Sequence, residues 1–290
     1  MNNKLVIGTA QFGINYGIAN SLGQVKFEEA KKILDYALSE DINYIDTATS
    51  YGESEKVLGS NDVNRFKIIT KIPKIPYDQT NVYDWLESSV LDSLNRLNVK
   101  SIHALLLHSP EDLLGVHGLN IYKGLRELKS KGIVKKIGVS VYSIDEIEVI
   151  TDKYDVDIIQ CPLNLVDRSL VESGWHKRLK KMGIEIHVRS IFMQGLLLMK
   201  KDLIPNNFSK WENIWNKWHS WVKEKNINTL DACIAFVSSI DEIDRIIVGV
   251  DSLEHLEEIV QSYKLKQVSE FPDINSNDID LINPSLWKKS

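Results

Sequence analysis

Residues 66–108, FKIITKIPKIPYDQTNVYDWLESSVLDSLNRLNVKSIHALLLH, read as strand, helix and strand. Phe66-Lys-Ile-Ile-Thr70 and Ala104-Leu-Leu-Leu-His108 are short apolar runs, while residues 82–97 repeat apolar side chains at helical spacing. Two buried strands joined by an amphipathic helix form the unit of a parallel sheet, because parallel neighbours need a long crossover. The alternation continues outward in both directions. Further strands are predicted at 5–9, 44–46, 134–140, 157–160, 184–189 and 245–248. Further helices are predicted at 27–39, 121–131, 144–152, 169–182, 211–223 and 253–263, with Gly132 and Gly183 as stops. Eight strands without a linker, composition shift or repeat predict an α/β chain. A single closed (β/α)8 barrel over residues 1–290 is favoured over a doubly wound open sheet. Before the last strand, a Trp-rich helical insertion around 205–225 carries Trp211, Trp215, Trp218 and Trp221 on one face, where core packing is the expectation.

The 290 residues are 43% hydrophobic and 26% charged, a globular composition that excludes collagen, disorder and a disulfide scaffold. Lys and Arg total 35 against 40 Asp and Glu, and the cations are scattered, so neither nucleic acid nor an anionic membrane is an expected partner. Cys161 and Cys233 have no second pair to complete a zinc site, so no metal is expected and a reducing, cytoplasmic setting fits. The apolar run near the N-terminus is too short for a signal segment, and no stretch of about 18 apolar residues occurs. The sequence carries no signature of oligomeric state.

In a parallel barrel, chemistry gathers where strands end, so polar residues that close apolar runs carry weight. Asp46 closes one strand, Tyr51 follows it in Thr47-Ala-Thr-Ser-Tyr-Gly, Lys71 follows the next strand, and His108 ends the fourth. A phenol is a poor acid at neutral pH unless a cation stabilises its phenolate. Lys71 can supply that charge, Asp46 can hold Lys71 in place, and His108 can orient a substrate oxygen or share the proton of Tyr51. Such a set suits carbonyl reduction, in which negative charge grows on oxygen as hydride reaches carbon. Singly, each has an ordinary structural reading as a helix cap, loop packing, surface charge or turn support. Four together after three consecutive strands favour chemistry.

The stretch Asp46-Thr-Ala-Thr-Ser-Tyr-Gly-Glu-Ser-Glu-Lys-Val-Leu-Gly59 resembles the aldo-keto reductase pattern of an Asp, a Tyr five residues on, then Gly-x-Ser-Glu-x-x-Leu-Gly. Thr70-Lys71, Leu105-Leu-Leu-His108, Gly138-Val-Ser140, Ile159-Gln160-Cys-Pro-Leu-Asn164, Gln194-Gly-Leu-Leu197 and Val248-Gly-Val250 follow in the family's order. The resemblance implies a TIM barrel and a catalytic tetrad of Asp46, Tyr51, Lys71 and His108, with Tyr51 as general acid. It implies NADPH as cofactor, with nicotinamide against Ser140 and Gln160 and pyrophosphate near Ser190, Gln194 and Leu196. The adenosine phosphate is implied over Gly249, Ser252, His255 and Glu258. A helix that begins at Asp251 or Ser252 offers N–H groups that favour anions, although an ordinary N-cap explains the same residues.

Three departures stand out. Val141 replaces the usual Asn after Ser140, removing one amide partner. Arg189 stands where many members stack an aromatic ring on nicotinamide, and it is read either as a planar stacking surface that favours the reduced cofactor or as a clamp for an anionic substrate group. Near the adenosine phosphate, Ser252 and His255 replace a common Arg while Asp251 and Glu254 add negative charge, which keeps NADH open beside NADPH. Gln11, Phe12 and Tyr16 are expected to contact substrate. The leading expectation is an NAD(P)H-dependent reductase of a small-molecule aldehyde, ketone or sugar carbonyl. The alternatives are a sugar or nucleotide-sugar epimerase or mutase with a retained cofactor, by analogy with reductase-like proteins of bacterial polysaccharide pathways, and a non-enzymatic interaction subunit.

Overall fold

Eight parallel strands close into a ring in the computed structural model, which describes residues 3–265, 268 and 270–287. They are β1 (Leu5–Gly8), β2 (Tyr44–Asp46), β3 (Lys67–Ile72), β4 (Ile102–Leu107), β5 (Val134–Ser140), β6 (Ile158–Pro162), β7 (Glu185–Arg189) and β8 (Arg245–Gly249). Each pairs with the next in sequence, and β1 closes on β8 with Leu5 opposite Ile246 and Gly8 opposite Gly249. Every expected strand is present, shifted at its ends by at most a few residues.

The principal helices are α1 (Phe27–Ser39), α2 (Ser54–Gly59), α3 (Val82–Leu97), α4 (Gly118–Ser130), α5 (Ile144–Lys153), α6 (Trp175–Lys181), α7 (Glu212–Lys225), α8 (Thr229–Ser238) and α9 (Leu253–Leu265). Gly132 and Gly183 take positive φ, 73° and 77°, just past two of these helices, as stops should. The helix expected over 169–182 is broken: Ser169–Glu172 forms one turn, Gly174 turns left-handed at φ 77°, and α6 then begins. The sequence reading also missed α8, because Ala232 to Val237 are all buried and leave no polar face to mark a helical period.

Burial on both sides explains the continuous apolar runs. Val6, Tyr44, Ile69, Ala104, Leu106, Ile158 and Ile247 fill the barrel interior. Alternate residues such as Leu105 and Leu107 face outward into the larger layer between strands and helices. In the Trp-rich segment, Trp215 and Trp218 are buried on α7, and their indole N–H groups donate to Phe208 O and Leu197 O, both at 3.0 Å. Trp218 stacks on Trp221 at 5.8 Å. Trp211 lies just before the helix and donates to Asp278 Oδ2 at 3.0 Å. Core packing is therefore the role of this face.

The ends of β1 and β2 are locked to the loop that carries Tyr51. Thr9 N–H donates to Asp46 O at 3.0 Å, and Ser54 Oγ donates to Thr9 O at 2.8 Å. Gly13, in a one-turn helix after β1, lies so near this loop that an added Cβ would stand 1.7 Å from Tyr51 O and 2.4 Å from Ser54 N. Both are backbone atoms, so relief requires the loop to move. Gly13→Ala is expected to destabilise the fold by at least about 1–3 kcal/mol, the usual range for overpacking. Denaturant unfolding measures it, and an unchanged midpoint would show that the loop yields freely.

Candidate active site

All four residues of the expected tetrad meet at the C-terminal mouth of the barrel. Asp46 is the last residue of β2, Lys71 lies in β3, His108 directly follows β4, and Tyr51 sits in the loop between β2 and α2. Lys71 Nζ donates to Asp46 Oδ1 at 2.5 Å and to Thr47 O at 3.0 Å, and its side chain is 1% exposed. The second carboxylate oxygen of Asp46 accepts from Gln160 Nε2 at 2.7 Å. Above this pair the ammonium lies 5.2 Å from the centroid of the Tyr51 ring. His108 meets that ring edge-on at 5.9 Å, while its Nδ1 is 3.0 Å from Ser50 Oγ.

The charges around the mouth tune these groups. Burial, then Asp46, pushes the Tyr51 phenol above its ordinary range, and Arg189 pulls it back down. Burial pulls the Lys71 ammonium down, and Asp46 opposes that pull. Burial, followed by Lys71 and Arg189, lowers His108 to about 4, so the imidazole is neutral at pH 7. Burial raises Tyr16 to about 12. The mouth thus holds protonated phenols beside the Lys71–Asp46 ion pair and the Arg189 guanidinium.

Arg189 ends β7 with its guanidinium over the ring of Tyr142 at 4.1 Å. Its Nη2 donates to Val141 O at 3.0 Å and its Nε to Ser140 Oγ at 3.3 Å. One face of the plane is thereby covered and its edge is held. Tyr142 was absent from the sequence reading, although its place two residues beyond Ser140 is the signal that would have found it. Ser190, Met193, Gln194 and Gly195 all take positive φ, which bends the chain sharply after β7. Gln194 O accepts from Ile18 N–H at 3.0 Å, so this bend is tied to the loop after β1.

Gln160 Oε1 is buried without a hydrogen-bond partner. It is an acceptor in need of an N–H donor, and a primary carboxamide such as that of nicotinamide satisfies it. The residues present fit that end of the cofactor. The adenosine-phosphate end differs, because the first turn of α9 is already capped. Leu253 N–H donates to Glu29 Oε1 at 2.8 Å, and His255 N–H donates to Ser252 Oγ at 3.2 Å. The N-cap reading of Ser252 prevails over the open anion site. Gly249 and Glu258 are exposed, and His255 Nδ1 lies 3.8 Å from Asp251 Oδ2.

One expected contact requires correction. Phe12 is 0% exposed within the outer core, so it packs the barrel instead of facing substrate. The Leu196 side chain is also buried, which leaves its backbone as the part that can face a pyrophosphate. Gln11 is buried against Gly249, and Tyr16 is partly exposed with Tyr51 and Arg189 within electrostatic reach. Among the described residues no cluster of His, Cys, Asp and Glu could hold a metal ion, and no helix is long and apolar enough to cross a membrane. A separate cleft of about 590 Å³, lined by Lys67, Leu94, Asn98, Ile102, His103 and Lys135 among others, opens by the starts of β3 and β4 and contains none of the tetrad.

The family model described as "Aldo/keto reductase family" matches residues 4–276. D-arabinose 1-dehydrogenase of Saccharomyces cerevisiae is 27% identical over 282 residues, spanning 89% of this chain and 84% of the yeast protein. The 6-dehydroglucose reductase of Novosphingobium aromaticivorans is 32% identical over 136 residues, 41% of this chain and 43% of its own length. The holo form of an aldo-keto reductase from Bacillus halodurans shares the fold with a TM-score of 0.71, at 18% identity over 92% of this chain and 88% of that chain. The relatives are named as oxidoreductases, which favours catalysis over an accessory role or an epimerase.

Because folded His108 titrates near 4 and an unfolded His near about 6.5, the unfolded chain binds more protons between these values. Stability is therefore full above about pH 6.5 and declines as pH falls towards 4. His108→Gln should shrink the acid-side loss of melting temperature, leaving the part due to His103, His187 and His219, which burial also lowers. An unaltered slope would contradict the neutral, half-buried state of His108.

Proposed function

The chain belongs to the aldo/keto reductase family, and on that premise we propose that it reduces an aldehyde or ketone, in the class of sugar carbonyls, with Tyr51 as the proton donor. The family's enzymes are oxidoreductases that use NAD(P)H. A bound dihydronicotinamide supplies hydride to the carbonyl carbon. The observation that carries the reading is the buried Lys71–Asp46 pair beneath a protonated Tyr51. Two relatives named for sugar substrates, D-arabinose 1-dehydrogenase and 6-dehydroglucose reductase, support the substrate class.

The residues divide the work. Tyr51 O–H delivers its proton to the carbonyl oxygen, and the phenolate left behind lies near Lys71 and Arg189, which stabilise it. Asp46 keeps the buried ammonium charged and in place. Assigning Ser50 as donor to His108 Nδ1 puts the imidazole proton on Nε2, where a neutral donor can orient the substrate oxygen. Gln160 and Ser140 would hold the carboxamide end of the cofactor, and Arg189, braced on Tyr142, would offer its open face to the nicotinamide. Ser190 and Gln194 shape the bend that receives the pyrophosphate. Tyr16 lines the substrate side. The protein works as a single barrel domain in the reducing cytoplasm, a setting suited to two free, buried cysteines, of which burial raises Cys161 to about 12.

Tyr51→Phe should lower kcat/KM for carbonyl reduction by about 10²–10⁴-fold with unchanged cofactor affinity, since general acid–base removal has that range. Wild-type turnover in this variant would remove Tyr51 from its role. Reduction needs the protonated phenol, so its rate falls as pH rises through the apparent pKa of Tyr51. Lys71→Met strips Asp46 of its counter-charge and pushes that pKa further up. The basic limb of the pH–rate profile should therefore move to higher pH, and an unmoved limb would count against the pairing. Arg189→Gln should narrow any preference for reduced over oxidised cofactor, read from the two dissociation constants, because a like charge leaves the neighbourhood of the oxidised ring. Unchanged cofactor constants with a selective KM rise for anionic carbonyls would instead assign Arg189 to substrate.

A further inference from the structure

We propose that Glu29 makes this enzyme select NADH over NADPH, by occupying with its own carboxylate the helix end that a 2′-phosphate would need. The inference rests on the reading that the adenosine end of the dinucleotide lies over the start of α9. Glu29 belongs to the first turn of α1, yet its Oε1 accepts the Leu253 N–H of α9 at 2.8 Å. Ser252 Oγ takes the N–H of His255 in the same turn, and Leu256 N–H begins the helical ladder by donating to Ser252 O at 3.3 Å. Of the amides in the first turn of α9, only that of Glu254 is left without one of these acceptors. A helix N-terminus attracts anions through its free N–H groups and its dipole. Here a resident anion has taken that place.

The surrounding charge reinforces the block. Asp251 contributes a carboxylate whose buried Oδ1 has no hydrogen-bond partner, and Glu254 adds an exposed one. Lys32 pairs with Glu29 at 3.2 Å, and His255 lies 3.8 Å from Asp251. A phosphate monoester carries about −1.5 to −2 charges at pH 7 and would meet carboxylates without a free guanidinium or ammonium among these groups. The hydrogen bond from Leu253 holds the Glu29 carboxyl below its usual range, so it is ionised wherever the enzyme works near neutrality. An ionised carboxylate has acceptor sites to spare after one amide and one ammonium. The 2′-hydroxyl of an unphosphorylated ribose is a donor of the right kind, the same complementarity by which acidic residues read NAD in other dinucleotide sites. Glu29 thus repels one cofactor and offers an acceptor to the other.

Titration of the purified protein with NADH and with NADPH, followed by nucleotide fluorescence, tests this without turnover. The wild type should bind NADH at least about tenfold more tightly, a difference of about 1.4 kcal/mol. Glu29→Gln should close most of that gap, chiefly by tightening NADPH, while Glu29→Asp should keep a preference for NADH. Should the Gln variant fail to fold, the wild type still decides. Raising salt from about 20 to about 300 mM screens like-charge repulsion and should narrow the ratio of the two dissociation constants. NADPH bound as tightly as NADH, a ratio indifferent to Glu29→Gln, or a ratio indifferent to salt would overturn the proposal alone. Binding of neither nucleotide would overturn the cofactor reading and the proposal with it.

Discussion

The contact on which the site depends is the ion pair between Lys71 and Asp46, closed at 2.5 Å where neither side chain is more than 4% exposed. Such a pair is poor insurance for stability, because desolvating two charges offsets much of their attraction. Its value lies in what it fixes. Asp46 Oδ1 takes the ammonium and Oδ2 takes the amide of Gln160, so β2, β3 and β6 are joined across the top of the barrel. Because Gln160 donates through its nitrogen, its carbonyl oxygen must point elsewhere, and it is this oxygen that lies buried and unpaired. The Lys71 ammonium and the free Gln160 carbonyl oxygen are therefore oriented by one carboxylate. Breaking such a buried pair from one side strands the other charge, typically at a cost of about 3–5 kcal/mol. Fold and chemistry cannot be separated at this point.

The barrel makes that arrangement affordable. Parallel pairing sends every strand's C-terminal end to the same rim, and alternation sends Asp46, Lys71, Gln160 and Arg189 inward from four different strands. The interior below them is mostly apolar, with Ile69, Leu106 and Ile158 joined by the buried His187 of β7. Low polarisability beneath the charges preserves their field at the mouth, where water would otherwise screen it. The loop bearing Tyr51 then needs only to be clamped above this field. Thr9, Thr47 and Ser54 do so with buried hydroxyl bonds, and the missing side chain of Gly13 leaves room for the Tyr51 carbonyl.

This division explains what was legible in the sequence. Strand positions were readable because burial on both faces produces apolar runs, and the tetrad was readable because each member sits immediately at or beyond such a run. Helix α8 was not, since burial all round removes the polar stripe on which periodicity depends. The break before α6 rests on the left-handed Gly174 inside an otherwise helical pattern. Phe12 looked like a mouth residue because it follows β1, but the one-turn helix there rotates it into the core. The capping of α9 by Glu29 was beyond reach for a different reason. The two partners are 224 residues apart, and Glu29 reads locally as an ordinary first-turn acid.

The mouth consequently carries opposite fields at its two ends. Lys71 and Arg189 stand beside the Tyr51 phenol, where reduction would place negative charge on a carbonyl oxygen, and fixed cations there need no reorganisation as that charge grows. At the rim between β1 and β8, Glu29, Asp251 and Glu254 create the reverse field. A carbonyl substrate that gains negative charge is favoured at the first end, and a ligand reaching the second is favoured when it brings no negative charge beyond what it must. These demands fall on different atoms of the same bound molecules, so neither field compromises the other. Separation is possible because the two groups of charges hang from different elements: the cations from strand ends inside the barrel, the carboxylates from α1 and the β8–α9 turn outside it. Substitutions at the rim can thus alter its charge while leaving Tyr51, Lys71 and Asp46 in place.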